Sequence, residues 1–278
     1  MADINLIDPK EYDSTVDLLR SFFKSRGFRE VPVQHRLSVL AACEDPRTIA
    51  TFNYAGALWP LPQTGQMWLE YELLTKPDAP GYYCISTSYR NEPNPKPGRH
   101  DLVFPMFEFE THGAFEDLKR LEEDLLEFLG FGPRGRYVAD EYQNVAQHFG
   151  VKELTTEHEE QLWNEFGPVF FLMKFPQFTS PFWNMKKVGD VANKIDVILY
   201  GIETIGSAER STNPDEMFRL FHTISDGMYA DILYAQFGRI RVLNELETFL
   251  ALPFIPRCGG GIGMTRIIRA LKLAGVLK

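Results

Sequence analysis

The sequence has few cysteines, no long apolar run and no excess of positive charge. Its three cysteines, Cys43, Cys84 and Cys258, are odd in number and lack metal-ligand spacing, so we expect reduced thiols in the cytoplasm. No segment approaches the roughly 20 apolar residues of a membrane span, and we expect neither a leader peptide nor a membrane partner. The net charge is −9, so surface-wide attraction to nucleic acid is not expected.

The order of apolar and turn-forming segments predicts an α+β fold. Asp8, Pro9 and Glu11 form a helix-start signal, and residues 82–86 and 103–111 read as two strands around a proline-rich hairpin loop. Further β-rich runs cover 169–175 and 194–205, and long helices are expected over 213–237 and 263–275. We therefore expect a mainly antiparallel sheet flanked by helices, forming a single domain over residues 1–278.

The hairpin carries charges that suit a nucleotide. Arg90 and Glu92 are two positions apart on a strand, so both side chains face the same way. Arg99 and His100 fall on the loop, where they would close over phosphates, and Phe104 offers a ring on which a base would stack. An ordinary hairpin with scattered charges is the alternative for this segment considered alone.

A glycine run near the C-terminus ends in an arginine, with the sequence Gly259-Gly-Gly-Ile-Gly263-Met264-Thr-Arg266. It is not a dinucleotide fingerprint, because Met264 occupies the third glycine position and too little chain follows for a βαβ unit. The run would instead let a strand and a helix pack closely while Arg266 projects into a cleft. The alternative is a helix cap with an ordinary surface arginine.

Two acids lie in and at the end of an apolar run. Asp196 and Glu203 are seven positions apart, so they converge only if the strand bends or bulges near Gly201. Isolated acids in such a run are costly unless they are paired or bind a cation, and carboxylates beside a triphosphate commonly bind Mg²⁺. Ion pairs with Lys194 or Arg210 are the alternative.

Taken together, these segments resemble motifs 2 and 3 of class II aminoacyl-tRNA synthetases. The whole chain is similar to the catalytic domain of the aspartyl/asparaginyl subgroup, and to the small archaeal asparagine synthetases built on that domain. The segments that carry the resemblance are Ser88-Tyr-Arg90-Asn-Glu92, Arg99-His-x-x-x-Phe104-x-Met106-x-Glu108-x-Glu110, Glu44, Gln63-Thr-Gly-Gln66-Met-x-x-Glu70, Gly201-Ile-Glu203-Thr-Ile-Gly206-Ser-Ala-Glu-Arg210 and Gly259 to Arg266.

The resemblance implies an enzyme that activates an amino acid with ATP and Mg²⁺. Arg90 would stabilise the α-phosphate, Arg266 would hold the γ-phosphate, and both would count as catalytic. Asp196 and Glu203 would bind the metal. The resemblance implies the ATP site Arg90, Glu92, Arg99, His100, Phe104, Gly261, Gly263 and Arg266, and the amino acid site Glu44, Gln63, Gln66, Glu110 and Arg257.

The sequence departs from the subgroup in the residues that would bind an aspartate side chain. Leu69 replaces a lysine, and the arginine expected before motif 3 falls near Ala251, although Arg257 is close enough to substitute. Losing both cations would remove most affinity for a side-chain carboxylate, since each charge-assisted hydrogen bond contributes about 1.5–3 kcal/mol. The anticodon-binding domain is expected to be missing. The homodimer that the resemblance implies depends on a motif 1 proline that is displaced to Pro32.

Three functions remain open at this point. The first is an asparagine-synthetase-like amide ligase that transfers the activated acyl group to ammonia or another amine. The second is a free-standing synthetase that charges tRNA or a carrier protein, which no basic patch supports. The third is a non-catalytic amino-acid sensor, and the retention of Arg90, Arg266, Asp196 and Glu203 opposes it.

Overall fold

A computed structural model describes residues 6–32, 38–41, 45–95 and 101–277. The α-helices of these residues are α1 (Pro9–Ser25), α2 (Gln66–Thr75), α3 (Phe115–Phe128), α4 (Tyr142–His148), α5 (Thr156–Phe166), α6 (Pro214–Thr223), α7 (Met228–Phe237), α8 (Arg239–Leu250) and α9 (Met264–Leu273). The strands are β1 (Arg29–Glu30), β2 (Thr51–Tyr54), β3 (Ala57–Pro60), β4 (Gly81–Tyr89), β5 (Val103–His112), β6 (Val138–Glu141), β7 (Val169–Pro176), β8 (Lys187–Val188), β9 (Val191–Leu199), β10 (Ile202–Glu209) and β11 (Arg257–Gly263).

One large sheet dominates the described part of the chain. Its strand order is β1-β4-β5-β11-β10-β9-β7-β6, β8 pairs with β9, and β2 and β3 form a separate hairpin. The pairs β1–β4 and β6–β7 are parallel, whereas the central pairs are antiparallel. The predicted α+β class, a mainly antiparallel sheet flanked by helices, is confirmed.

Apolar cores cover both faces of this sheet. On one face, residues of α1, α3 and α9 pack with the strands and bury Phe23, Phe107 and Phe109. On the other face, a second core around Trp183 and Phe221 includes residues of α6, α7 and α8. Alternation along β5 directs its phenylalanines to the first core and the intervening acids Glu108 and Glu110 to the opposite face.

The start of α1 follows its sequence signal. Asp8 is the N-cap, and its Oδ1 accepts hydrogen bonds from the backbone N–H groups of Lys10 at 2.8 Å and Glu11 at 3.1 Å. Pro9 begins the helix, where no backbone donor is required. Local capping chemistry therefore determines where this helix begins.

Several segments differ from the expected elements because the backbone turns at residues in the left-handed conformation, with positive φ. The expected run 194–205 is two strands, β9 and β10, joined by Tyr200 and Gly201 at φ 48° and 76°. The expected helix 213–237 is broken between α6 and α7, where Ser225 and Asp226 have φ 53° and 56°. Left-handed residues cannot continue a right-handed helix. Strand β6 and helix α8 were not predicted.

Of the helices in the described ranges, none combines the length and apolarity that crossing a bilayer requires.

A buried acid lies on the α3 side of the sheet. Glu122 is fully buried, and the buried neighbours on its own helix include Leu118 and Leu125. Burial, reinforced by the negative charge of Asp196, raises the pKa of Glu122 from 4.5 to about 8. Glu122 is therefore a neutral carboxylic acid in the native protein over much of the physiological pH range.

Replacing Glu122 with glutamine is expected to remove a pH-dependent loss of stability. Between pH 4.5 and about 8 the native state retains a proton that the unfolded state releases. The contribution of Glu122 to the free energy of unfolding should thus be fully present below pH 4.5. As pH rises through this window, the free energy of unfolding of the wild type should fall by about 1.4 kcal/mol per pH unit. Urea unfolding of both proteins between pH 5 and 8 measures the difference. Parallel curves would contradict the assignment.

Candidate active site

A cavity of about 250 Å³ opens on the sheet face that carries the acids of β5. It lies against β5, β10 and β11, the start of α2, and the segment that precedes β8. Its lining residues are Gln63, Thr64, Gln66, Met67, Arg90, Glu92, Asp101, Phe104, Met106, Glu108, Phe182, Asn184, Met185, Lys194, Glu203, Thr204, Gly206, Ser207, Arg210, Gly261, Gly263, Thr265 and Arg266.

Strand β11 consists mainly of glycine because larger side chains would fill the space beside β5. Gly259 pairs with Glu110 and Gly261 with Glu108 in an antiparallel register. A Cβ on Gly259 would lie 2.1 Å from Glu110 Oε2 and 2.3 Å from the backbone oxygen of Phe109. The glycines therefore allow two buried carboxylates to occupy the sheet face beneath the cavity.

The two arginines that the sequence singled out line the same cavity. Arg90 follows β4, and its guanidinium carbon lies 5.5 Å from the centre of the Phe104 ring. Arg266 lies in the first turn of α9 and donates from Nη1 to the backbone oxygen of Glu203 at 2.7 Å. Glu92 also lines the cavity. Guanidinium groups from distant parts of the chain thus face one enclosed space.

Arg99, His100 and Glu44 lie outside the described residues.

The acids Asp196 and Glu203 converge above Gly206. Strands β9 and β10 pair with a register shift between Glu203 and Ile205, so the ladder is irregular at this point. A Cβ on Gly206 would lie 3.1 Å from Glu203 Oε1 and 3.7 Å from Asp196 Oδ1. Asp196 Oδ2 also forms an ion pair with Lys194 Nζ at 3.0 Å. This ion pair is the alternative that the sequence left open.

The carboxylates over Gly206 suit a hard cation such as Mg²⁺, which prefers oxygen ligands. Within the described ranges, no cluster of three or more His, Cys, Asp or Glu side chains is placed to hold a metal. A magnesium ion at this position would therefore take its remaining ligands from phosphate and water. The residues present fit that requirement.

A buried network of two acids and two arginines lies behind the end of the cavity that Arg210 lines, which we call the closed end. Arg257 donates to Glu70 Oε2 from Nε at 2.9 Å and from Nη2 at 2.6 Å, and both side chains are fully buried. Arg210 contacts Glu110 at 3.3 Å and Glu70 at 3.9 Å. It also donates to Gln66 Oε1. Each buried arginine thus has a carboxylate partner, as desolvated charges require.

Glu108 lies on the floor of the cavity, between this network and the two arginines Arg90 and Arg266. It accepts hydrogen bonds from the hydroxyls of Thr64 and Ser86 and from the backbone N–H of Gly65, the last at 2.7 Å. Burial raises the pKa of Glu108, and these three hydrogen bonds oppose the rise. In Glu110, burial likewise raises the pKa, against the attraction of Arg210.

The expected substrate role of Arg257 is not supported, because Arg257 is fully buried against Glu70 and does not line the cavity. Leu69 is buried in a separate apolar cluster, and Ala251 caps α8. The cation that reaches the cavity here is Arg210. It lies four positions after Gly206, which places both residues on the same face of an extended chain, and this spacing was a usable sequence signal.

Of the other predicted substrate residues, Gln63 and Gln66 line the cavity, whereas Glu110 lies behind it in the network. Gln63 donates from Nε2 to Thr48 Oγ1 at 2.7 Å, and Gln66 donates from Nε2 to the backbone oxygen of Gly260 at 2.9 Å. Sequence reasoning did not identify Thr64, Asp101, Asn184 or Lys194 as lining residues. Asp101 and Asn184 occupy no motif position, whereas Thr64 lies within the Gln63–Gln66 segment and Lys194 was considered only as a partner of Asp196.

Residues 13–274 match the family model described as tRNA synthetases class II (D, K and N). The chain is similar to the aspartate–tRNA(Asp) ligase of Pyrobaculum aerophilum, with 34% identity over 65 residues, which is 23% of this chain and 15% of that protein. It is also similar to the aspartate–tRNA(Asp/Asn) ligase of Methanopyrus kandleri, with 28% identity over 124 residues, 43% of this chain and 28% of that protein. These matches cover less than a third of either relative.

Solved structures share the fold. The asparaginyl-tRNA synthetase from Pyrococcus horikoshii complexed with asparaginyl-adenylate superposes with a TM-score of 0.77 at 19% identity, covering 95% of this chain and 65% of that one. The asparaginyl-tRNA synthetase of Entamoeba histolytica in complex with asparaginyl-adenylate gives 0.74 at 19% identity, covering 95% of this chain and 63% of that one.

Alanine at two glycines of β11 should have unequal effects on stability. Gly259→Ala would drive a methyl group against a backbone oxygen and Glu110, and is expected to cost about 1–3 kcal/mol. Gly261→Ala meets first the terminal methyl of Met106, at 2.7 Å, which can move aside, so we expect a smaller loss. Urea unfolding of both variants measures the difference. Equal losses would show that the register assigned to β11 and β5 is wrong.

Proposed function

The chain belongs to the class II tRNA synthetases of the D, K and N type, and from this premise we propose that it activates an amino acid carboxylate with ATP. The observation that carries this proposal is the shared cavity of Arg90 and Arg266. A bent triphosphate needs fixed cations at both ends, and planar guanidinium groups bind phosphate oxygens with defined geometry.

The proposed reaction is attack of a carboxylate oxygen on the α-phosphorus of ATP. The new bond gives an acyl-adenylate, the bond to the β-phosphate oxygen breaks, and pyrophosphate leaves with its electron pair. Phe104 stacks with the base, Arg90 stabilises negative charge on the α-phosphate, and Arg266 holds the γ-phosphate. The carboxylate is already deprotonated, so positioning and charge stabilisation supply most of the rate enhancement.

Asp196 and Glu203 are the residues that would hold magnesium, on the evidence of the carboxylate oxygens that converge over Gly206. When bound, the ion would neutralise charge on the phosphates, including that of the departing pyrophosphate. Lys194 pairs with Asp196 at 3.0 Å and lines the same cavity, so it provides a further positive charge near the phosphates.

The second half-reaction is transfer of the acyl group to an amine, with ammonia as the first candidate. An asparagine-synthetase-like amide ligase is the leading form of the proposal. A synthetase that charges tRNA or a carrier protein is the alternative, and the names of the two curated relatives favour tRNA. We also expect a cytoplasmic homodimer. A purely amino-acid-sensing role has little support, because a sensor does not require Arg90 and Arg266 in one cavity.

Exchange between ATP and pyrophosphate that depends on an amino acid tests the activation step. We expect exchange with at least one of the standard amino acids when each is supplied with Mg²⁺. An amide product formed with ammonium supports the ligase, and product formed only with tRNA supports the synthetase. Thermal stabilisation by an amino acid without any exchange would favour the sensor and contradict activation.

Replacing Arg266 with alanine is expected to lower the exchange rate by roughly 10²–10³, the loss typical of removing one group that stabilises transition-state charge. Arg269→Ala is the matched control, because Arg269 lies on the same helix but donates to the backbone oxygen of Tyr200 and does not line the cavity. It should retain most of the exchange rate. Unchanged exchange in Arg266→Ala, with both variants folded, would refute the assigned role.

A further inference from the structure

Asn184 lies at the closed end of the cavity and is almost completely buried. Asn184 is one of the residues that line the cavity, yet its relative exposure is only 1%. Its backbone is held as well, since its carbonyl oxygen accepts from the N–H of Ser211 at 2.8 Å. Asn184 is therefore fixed beside the substrate space.

The orientation of the Asn184 carboxamide is determined by Glu70. The amide nitrogen donates to Glu70 Oε1 at 2.6 Å. The other oxygen of Glu70 accepts both donors of Arg257, so this carboxylate is itself held in place. An ionised carboxylate only accepts hydrogen bonds, which excludes the flipped amide with its oxygen against Glu70. The carboxamide oxygen is therefore the amide atom that does not contact Glu70.

That oxygen has no hydrogen-bond partner among residues 6–32, 38–41, 45–95 and 101–277. Buried acceptors are nearly always satisfied in folded proteins, and an exception beside a substrate cavity indicates a group that a ligand completes. Only a donor completes it. A ligand carboxylate would instead place another acceptor against this oxygen.

The ion pairs of the closed end support the same conclusion. Glu70 and Glu110 each pair with a buried arginine, so the guanidinium groups of Arg210 and Arg257 are already engaged within the protein. The Nε and Nη2 donors of Arg210 already contact Glu110, Gln66 and the backbone oxygen of Gly259. A neutral polar group fits this environment better than an anion does.

We propose that Asn184 is a specificity-determining residue whose carboxamide oxygen accepts a hydrogen bond from an N–H group on the substrate side chain. The substrate is then an amino acid with a side-chain carboxamide rather than a carboxylate. This inference rests on the proposed activation of an amino acid in the same cavity, and it excludes aspartate, the substrate of an asparagine synthetase proper, as that amino acid.

Calorimetric binding of asparagine, glutamine, aspartate and aspartate β-methyl ester to the full chain tests this assignment. The ester keeps the carbonyl and approximate shape of asparagine but has no side-chain N–H. We expect the preferred carboxamide to bind the wild type ~10- to 100-fold more tightly than the ester or aspartate. Asn184→Leu, which is similar in volume, should abolish this preference. If Asn184→Leu does not fold, Asn184→Ser is the second variant to be tested.

Several results would overturn the proposal. Preference of the wild type for aspartate would overturn it directly. Failure of the wild type to bind either asparagine or glutamine would do the same. If both variants weaken the binding of every ligand equally, the role of Asn184 is structural. Unchanged amino acid binding with a raised KM for ammonium in product formation would assign the oxygen to the amine acceptor. Because calorimetry needs no turnover, a failure of exchange would count against the proposed activation alone.

Discussion

The ion-pair network of Glu70, Glu110, Arg210 and Arg257 is the constraint on which the site depends. It joins α2, β5, β11 and the residue after β10, which are distant in sequence. Removing one partner from a buried pair typically costs about 3–5 kcal/mol, because the remaining charge is left without compensation. The network therefore resists distortion, and the side chains attached to it are held in defined positions. Gln66 is fixed through Arg210, and Asn184 is fixed through Glu70.

This constraint gives the two ends of the cavity different chemistry. At the closed end each arginine is paired with a carboxylate within the protein, and the proposed recognition there depends on the direction of hydrogen bonds. Towards Arg90 and Arg266 the cavity walls carry side chains that are suited to phosphate and metal. The glycines of β11 allow both ends to share one sheet face, because larger residues would collide with the carboxylates of β5. The amino acid and the triphosphate of the proposed reaction would thus lie next to one another.

Much of this organisation could be predicted from local patterns. The cap at Asp8, the hairpin of β4 and β5, and the glycine strand leading into α9 are set by residues close together in the chain. Asp196 and Glu203 converge as the expected bend or bulge near Gly201 would require, through a tight turn at Tyr200 and Gly201 and a register shift between Glu203 and Ile205. Arg257 was assigned to the substrate because proximity in sequence does not reveal that Glu70 already binds its guanidinium.

By itself, the sequence determined the α+β class and several residues that line the cavity, among them Arg90 and Arg266, because periodicity, capping and motif spacing are properties of short segments. Only the tertiary structure decided that Arg210 rather than Arg257 reaches the cavity and that Asn184 lines its closed end. The physical reason is that desolvated charges must be paired, and which partners meet depends on the register between strands and helices far apart in the chain.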